Sequence, residues 1–428
     1  MTSRPTREQD PTMMRTRRAA ALGGLVCVSM LLAAGCGKGF EDAPAQSAQQ
    51  TAGPAKLEIL IGSSGEAETA AVKQAAQTWA SATGATATVT PAQELQQQLG
   101  QAFAGDDPPD VFYVDAVRFA DYASVGALEP YADKISRPDD FYPTLRTAFT
   151  YNGKFYCAPK DFSTLALIVN QDLWSKAGLT DADVPATWEQ LTSVSEKLKA
   201  KGVTPLALGD TRDRIGAFMV QSGGWITSPD GKQATADSPQ NVAALEYVRT
   251  LLDDELARYP SQLDAGWAGE AFGKGKVAMT IEGNWIKGAL KADFPDVKYT
   301  AYELPAGPKG KGTLSFTTCW GISAKSPYKE QAIAFVEAMV KADQQLAFAK
   351  AFGVMPSRES AKSAYTAEFP ADAPFVNGAE YAQGPVNAPK MDSVLADFDT
   401  GLQKLTSQAP KALLQRVQKN TRAALGTS

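Results

Sequence analysis

From Lys56 onward the sequence alternates short apolar runs with segments that carry helix start and stop signals, and it does so for more than 370 residues without a dividing linker. Leu57-Glu58-Ile59-Leu60-Ile61 reads as a strand, 66–82 as a helix closed by Gly84, 85–90 as a second strand and 110–114 as a third. Thr187-Trp188-Glu189-Gln190 is a capping box that opens a helix striped by Leu191, Val194 and Leu198 and ended by Gly202, with a strand expected at 204–208. Ser238-Pro239 and Ser326-Pro327 each set a cap residue before a proline at the first helical position. The helices they open are striped by Val242, Leu245, Val248 and Leu252, and by Ile333, Val336 and Val340. Such a chain is α/β in class. It is too long for one hydrophobic core, so two lobes are expected, with the chain crossing between them more than once.

The N-terminus is of another kind. Arg15, Arg17 and Arg18 precede the apolar run 19–34, which ends Ala33-Ala34-Gly35-Cys36. Sixteen helical residues span about 24 Å, short of the ~30 Å hydrocarbon core, so the run reads as a signal peptide covering 1–35. Its end resembles the bacterial lipobox, in which the cysteine becomes the lipidated N-terminus; Cys27 follows Val26, not a small residue, and is a poor rival. The stretch 36–55 is rich in Gly, Ala, Gln and Pro and reads as a flexible tether. Thr16-Arg17-Arg18 also resembles a twin-arginine export signal without its usual Phe-Leu, which leaves the export route open. The expected location is the outer face of the cytoplasmic membrane, on a lipid anchor at Cys36.

Histidine is absent, which removes the commonest general base, the commonest metal ligand and the usual partner of a nucleophilic Ser or Cys. With 42 Lys and Arg against 47 Asp and Glu, the chain lacks the basic excess a nucleic-acid binder needs. No glycine-rich stretch reads as a P-loop or dinucleotide fingerprint, and no Cys, Asp or Glu cluster has metal spacing, so neither cofactor nor metal is expected.

Several blocks in order along the body carry a resemblance. Tyr151-Asn152-Gly153-Lys154 and Pro159 lead into Val169-Asn170-Gln171-Asp172-Leu173, followed by Pro185-Ala186-Thr187-Trp188-Glu189. Then come Phe272-Gly273-Lys274-Gly275-Lys276-Val277-Ala278-Met279, running to Gly283-Asn284-Trp285, and Gly353-Val354-Met355-Pro356-Ser357-Arg358. Together they resemble the extracellular solute-binding proteins of bacterial ABC importers, in the sugar-binding group that includes maltose-binding protein. The resemblance implies a periplasmic-binding-protein (Venus-flytrap) fold: two discontinuous lobes around a central ligand cleft, closing on the ligand. It puts the crossovers near 158–165 and 317–323, with lobe 1 at 56–159 plus 322–356 and lobe 2 at 162–318 plus 357–428. It implies a monomeric binding protein and not an enzyme, with a sugar or oligosaccharide as ligand and ABC permease subunits as partners. The alternatives are the same fold holding a peptide, polyamine or chelate, or a secreted carboxylate glycosidase.

Sugars ask for flat aromatic platforms and planar polar side chains in a cleft that excludes water. Trp79, Trp174 and Trp188 fall on helices and read as core, whereas Trp225, Trp267, Trp285 and Trp320 fall in loop, glycine-rich or crossover contexts that suit a platform. Trp285 matches the family's stacking aromatic. Asp161, in the first crossover, stands where maltose-binding relatives place an acidic sugar-binding residue; its other reading is a salt bridge with Lys160. Asp115 ends a strand at its carboxyl end, Glu66 follows the turn Gly62-Ser63-Ser64-Gly65, and Asn284 and Arg358 complete the candidate set. Cys157 and Cys319 flank the two implied crossovers and are expected to form a disulfide in an oxidising exterior.

Overall fold

The computed structural model describes residues 54–427, so the expected signal peptide, Cys36 and nearly all of the tether lie outside the described residues. Among the described residues twelve strands occur in the order β1 (Lys56–Ile61), β2 (Thr86–Pro91), β3 (Val111–Asp115), β4 (Thr150–Tyr151), β5 (Lys154–Phe155), β6 (Ala158–Asn170), β7 (Leu206–Ala207), β8 (Ala257–Arg258), β9 (Met279–Gly283), β10 (Tyr299–Tyr302), β11 (Thr313–Ile322) and β12 (Ala382–Gln383). Helices fill most of the intervals.

The first half forms as the pattern dictates. β1 alternates, with Leu57, Ile59 and Ile61 buried and Lys56 and Glu58 exposed. The helix Glu66–Thr83 buries Val72, Ala75, Ala76 and Trp79, one face at 3.6-residue spacing, and stops at Gly84, whose left-handed φ of 72° favours a residue without Cβ. Asn152 and Gly153, both at positive φ, turn the β4–β5 hairpin.

Two long strands organise the rest. The main sheet runs β2-β1-β3-β11-β6-β9-β7-β8. β1, β2 and β3 pair in parallel at one end, and β7 pairs in parallel with β8 and β9 at the other. Between them β11 and β6 run antiparallel, β11 holding β3 and β6 holding β9 and β10. The ladder between them has one irregularity: Cys319 faces Pro159 but Thr318 faces Asp161, which leaves Lys160 as an extra residue in a β-bulge. Cys157 and Cys319 are joined by a disulfide with their Cα atoms 5.7 Å apart, beside the bulge.

Each end of the sheet has its own core. Leu57, Ile59, Val111, Phe112 and Phe119 pack with Trp320, Phe335 and Val336 at one end. Leu167, Leu191, Leu206, Phe218 and Leu245 pack with Leu395, Phe398 and Leu413 at the other. A third cluster, including Tyr142, Phe162, Ala166, Phe272, Met355 and Tyr365, draws on segments from across the chain. The path therefore enters the second core along β6, returns to the first along β11 and comes back after the helix Ala342–Phe352.

Two expected elements differ. The strand at 204–208 is only β7, because Pro205 has no N–H to place in a ladder, although the carbonyls of Thr204 and Pro205 still accept from Ala278 and Met279. The helix expected directly at Pro327 begins at Lys329: Ser326 Oγ accepts from Tyr328 N at 3.1 Å and donates to the Asp110 carboxylate, tying the turn to β3's entry. Among the described residues, no helix is long and apolar enough to cross a membrane.

Candidate functional site

Where β3, β11 and β6 reach the middle of the molecule they meet the helix Glu66–Thr83, the loop after β9 and the segment 383–386 around a cleft of about 440 Å³. That volume suits a small-molecule or short oligomeric ligand. A wider depression of about 1500 Å³, lined by Tyr151, Trp225, Lys232 and Asn387 among others, adjoins it across residues 383–385. The smaller cleft holds the buried charges and the exposed aromatic described next.

The bulge in β6 sets the floor. In a regular strand Lys160 and Asp161 would face opposite sides. Here both line the cleft and pair with each other. Lys160 Nζ also donates to Glu68 Oε1 at 2.9 Å and lies 4.8 Å from the Tyr113 ring centroid. Glu68 accepts further from Ser64 N at 2.8 Å, Ser64 Oγ at 2.7 Å and Tyr113 Oη at 3.1 Å. Burial pushes the Glu68 carboxyl up, but Lys160 and the Ser64 donors outweigh it and hold its pKa below the usual value. Asp161 goes the other way: burial, reinforced by the charge of Glu68, raises it against the pull of Lys160. Burial disfavours the charged form of Lys160, yet the two carboxylates more than offset this and keep it an ammonium.

The wall is aromatic. Trp285 is 37% exposed, a rare state for a large apolar side chain, and its ring lies across Gly283: a Cβ there would come within 2.2 Å of the indole. Three groups fix the ring. Its Nε1 donates to Glu282 Oε2 at 3.0 Å, the Arg214 guanidinium lies 5.1 Å from its centroid, and Phe316 meets it edge-on at 5.1 Å. Arg214 Nη2 donates to the same Glu282 oxygen at 2.6 Å. Glu282 is 1% exposed, and its burial raises its pKa although Arg214 and Trp285 oppose the shift.

Five of the eight expected ligand residues line this cleft: Asp115, Asp161, Trp225, Asn284 and Trp285. Asp115 accepts from Gln96 Nε2 at 3.2 Å. Asn284 donates its side-chain amide to Gly353 O at 2.8 Å and its backbone N–H to Ser163 Oγ, so part of its polarity is already spent on fixing the loop. Trp225 lines the cleft with an Nε1 that is buried and without a partner.

The other three stand elsewhere. Trp320 is 1% exposed, wedged edge-on between Tyr113 at 4.8 Å and Phe335 at 5.7 Å, because its row of the sheet is roofed by the helix Lys329–Met339. Arg358 is spent on protein: its guanidinium donates to the carbonyls of Val340, Arg137 and Ser136, pairs with Asp140 at 3.4 Å and covers the Phe141 ring. Glu66 is exposed at the start of its helix, and the turn before it is satisfied by Glu68. Glu68 carried a readable signal, since it stands four residues before Val72 on the helix's buried face. Lys160 as a lining residue, Arg214 behind Trp285 and the returning segment 383–386 carried none.

Comparisons with known proteins agree with this fold. A diacetylchitobiose binding protein of Streptomyces coelicolor is 26% identical over 283 residues, 63% of this chain and 65% of that protein, just under two thirds of its length. A maltooligosaccharide ABC transporter solute-binding lipoprotein of Streptococcus pneumoniae is 26% identical over 364 residues, covering 81% of this chain and 82% of that one. The crystal structure of a cyclic α-maltosyl-1,6-maltose binding protein from Arthrobacter globiformis superposes with a TM-score of 0.78 at 21% identity, over 87% of this chain and 99% of that one. The fold is therefore the two-lobed, discontinuous α/β architecture of periplasmic binding proteins. Residues 73–376, most of the described body, match the family described as bacterial extracellular solute-binding protein, and this chain belongs to that family of exported binding proteins.

Proposed function

We propose that this chain is a lipid-anchored receptor that captures a sugar or oligosaccharide in the central cleft and hands it to the permease of an ABC importer. One observation carries the reading: a solvent-facing indole, held flat and rigid by Gly283, Glu282, Arg214 and Phe316, stands beside buried carboxylates in a cleft at the junction of two cores. A sugar's C–H face stacks on such a ring while its hydroxyls donate to Asp115 and Asp161. The named specificities of the Streptomyces and Streptococcus relatives point the same way. Lobe 1 is taken as 56–159 plus 322–356 and lobe 2 as 162–318 plus 357–428; the ligand touches both, so its binding favours the closed state that a permease reads.

Tryptophan fluorescence tests the ligand class. Titrating maltooligosaccharides and chito-oligosaccharides should give a saturable change with one series or the other, and a flat response to every saccharide would refute the reading. Anchoring is assigned to Cys36, following the lipobox-like Ala33-Ala34-Gly35. The wild-type protein should sediment with membranes and Cys36→Ser should appear in the soluble exported fraction; equal distribution of the two forms counts against the anchor.

A further inference from the structure

The cleft carries more negative charge than its own cations balance. Its ionisable lining groups are Glu68, Asp115, Asp161 and Asp213 against Lys160 and Arg212. Both cations are engaged. Lys160 is shared by Glu68 and Asp161, and Arg212 pairs with Asp399 behind the wall and stands 3.7 Å from the half-exposed Asp213. The next cation outward, Arg214, is committed to Glu282. Arg118 reaches Asp115 only through Gln96, whose Oε1 takes the Arg118 Nε donor at 3.3 Å. Asp115 is left with one neutral donor, and Asp161 with part of one ammonium.

Geometry gathers these two carboxylates. Asp115 on β3 and Asp161 on β6 both stand opposite Thr318 of β11, so the three side chains form one row on one face of the sheet. With strands about 4.8 Å apart, the outer backbones of that row are about 10 Å from each other. At its centre, Thr318 Oγ1 is shielded from solvent and has no hydrogen-bond partner. Two residues and about 7 Å along the same face, Phe316 meets Trp285 edge-on with ring centroids 5.1 Å apart, and Trp285 lines the same cleft as the row. The row therefore offers carboxylate, hydroxyl, carboxylate to whatever lies on the platform.

An ammonium has three donors and no acceptor, so it can address all three groups and neutralise charge that has no other counterion. A hydroxyl donates once and leaves the excess in place. Resting on the saccharide-receptor reading, the geometry points to a ligand that is an amino sugar, its protonated amine seated on Asp115, Thr318 and Asp161.

Calorimetry on the mature protein at pH 6 and low salt decides this with matched pairs: glucosamine against glucose, and chitobiose against cellobiose and diacetylchitobiose. The amine form should bind at least about tenfold tighter than either neutral form, and the ratio should fall as salt is raised. In Asp115→Asn and in Thr318→Val the ratio should drop to within about twofold of one. Equal or tighter binding of the neutral forms, or a preference that survives both substitutions, overturns the inference. If neutral saccharides bind with no amine preference, the receptor reading stands and only this inference falls; if no saccharide binds, both fall.

Discussion

Replacing Trp285 with alanine is expected to weaken saccharide binding by about 2–3 kcal/mol, roughly 30- to 150-fold, the scale of a well-packed aromatic anchor. The size follows from preorganisation. Glu282 Oε2 holds the indole N–H at 3.0 Å, Arg214 lies against the ring and Gly283 gives it room to lie flat, so little rotamer freedom remains to be lost when a sugar stacks on it. The thermal midpoint should change little, because the ring is already partly in solvent. Gly283→Ala supplies a second route to the same state: its Cβ would sit 2.2 Å from the indole, so the ring must leave while the tryptophan itself is retained. Both variants should lose affinity together in a calorimetric titration. Unchanged affinity in Trp285→Ala would put the platform elsewhere.

Lys160→Met should be the most destabilising single change in the cleft. Lys160 is the cation for two buried carboxylates, Glu68 and Asp161, and removing one partner of such a cluster strands the others at a cost of about 3–5 kcal/mol. The sign of the pH dependence is fixed. In the wild-type protein Glu68 has a folded pKa below its usual 4.5, so its contribution is present above pH 4.5 and is lost as pH falls through the lower folded value. Asp161 is raised in the folded state, so it favours folding less as pH rises through its folded value. In Lys160→Met both carboxyls are raised, and the folded state then gains from their protonation. The gap in denaturant midpoint between wild type and variant should therefore be wide at pH 7 and narrow toward pH 4. A gap that stays constant across that range would mean that the ammonium contributes packing and not charge.

Much of the body was legible because local signals and tertiary burial agree there. The helix Glu66–Thr83 ends at Gly84 as its left-handed glycine requires, and the helix Trp188–Ala200 is capped by Thr187 as its capping box predicts, with Gln190 reaching back one residue further, to Ala186 N. Trp79, Trp174 and Trp188 are core residues, as their helical positions imply. Trp320 was misread because its crossover position said nothing about which face of β11 a helix would roof. Arg358 was misread because a turn with a charged end looks the same in sequence whether its guanidinium meets a ligand or three carbonyls.

The bulge at Lys160 is the feature that sequence reasoning could not supply. One extra residue in β6 is a property of the pairing with β11, and it alone brings two consecutive side chains into one cleft. The Asp115, Thr318 and Asp161 row has the same origin, since three residues from three strands become neighbours only through register. Segment 383–386 joins the site through contacts made nearby: Asn387 donates to the carbonyls of Thr147 and Thr150, and Lys390 N donates to Asp121. Those partners lie more than 200 residues away in sequence, beyond the reach of any local pattern.

The proposed capture without chemistry is put to the test when protein purified from its own host is denatured, the released small molecule is identified by mass spectrometry, and the same compound is titrated back and recovered. The expected compound is a saccharide, bound one per chain at micromolar or tighter affinity in wild type and far more weakly in Trp285→Ala, and recovered with its mass unchanged. A released peptide or chelate, or a saccharide returned as hydrolysis products, would contradict it.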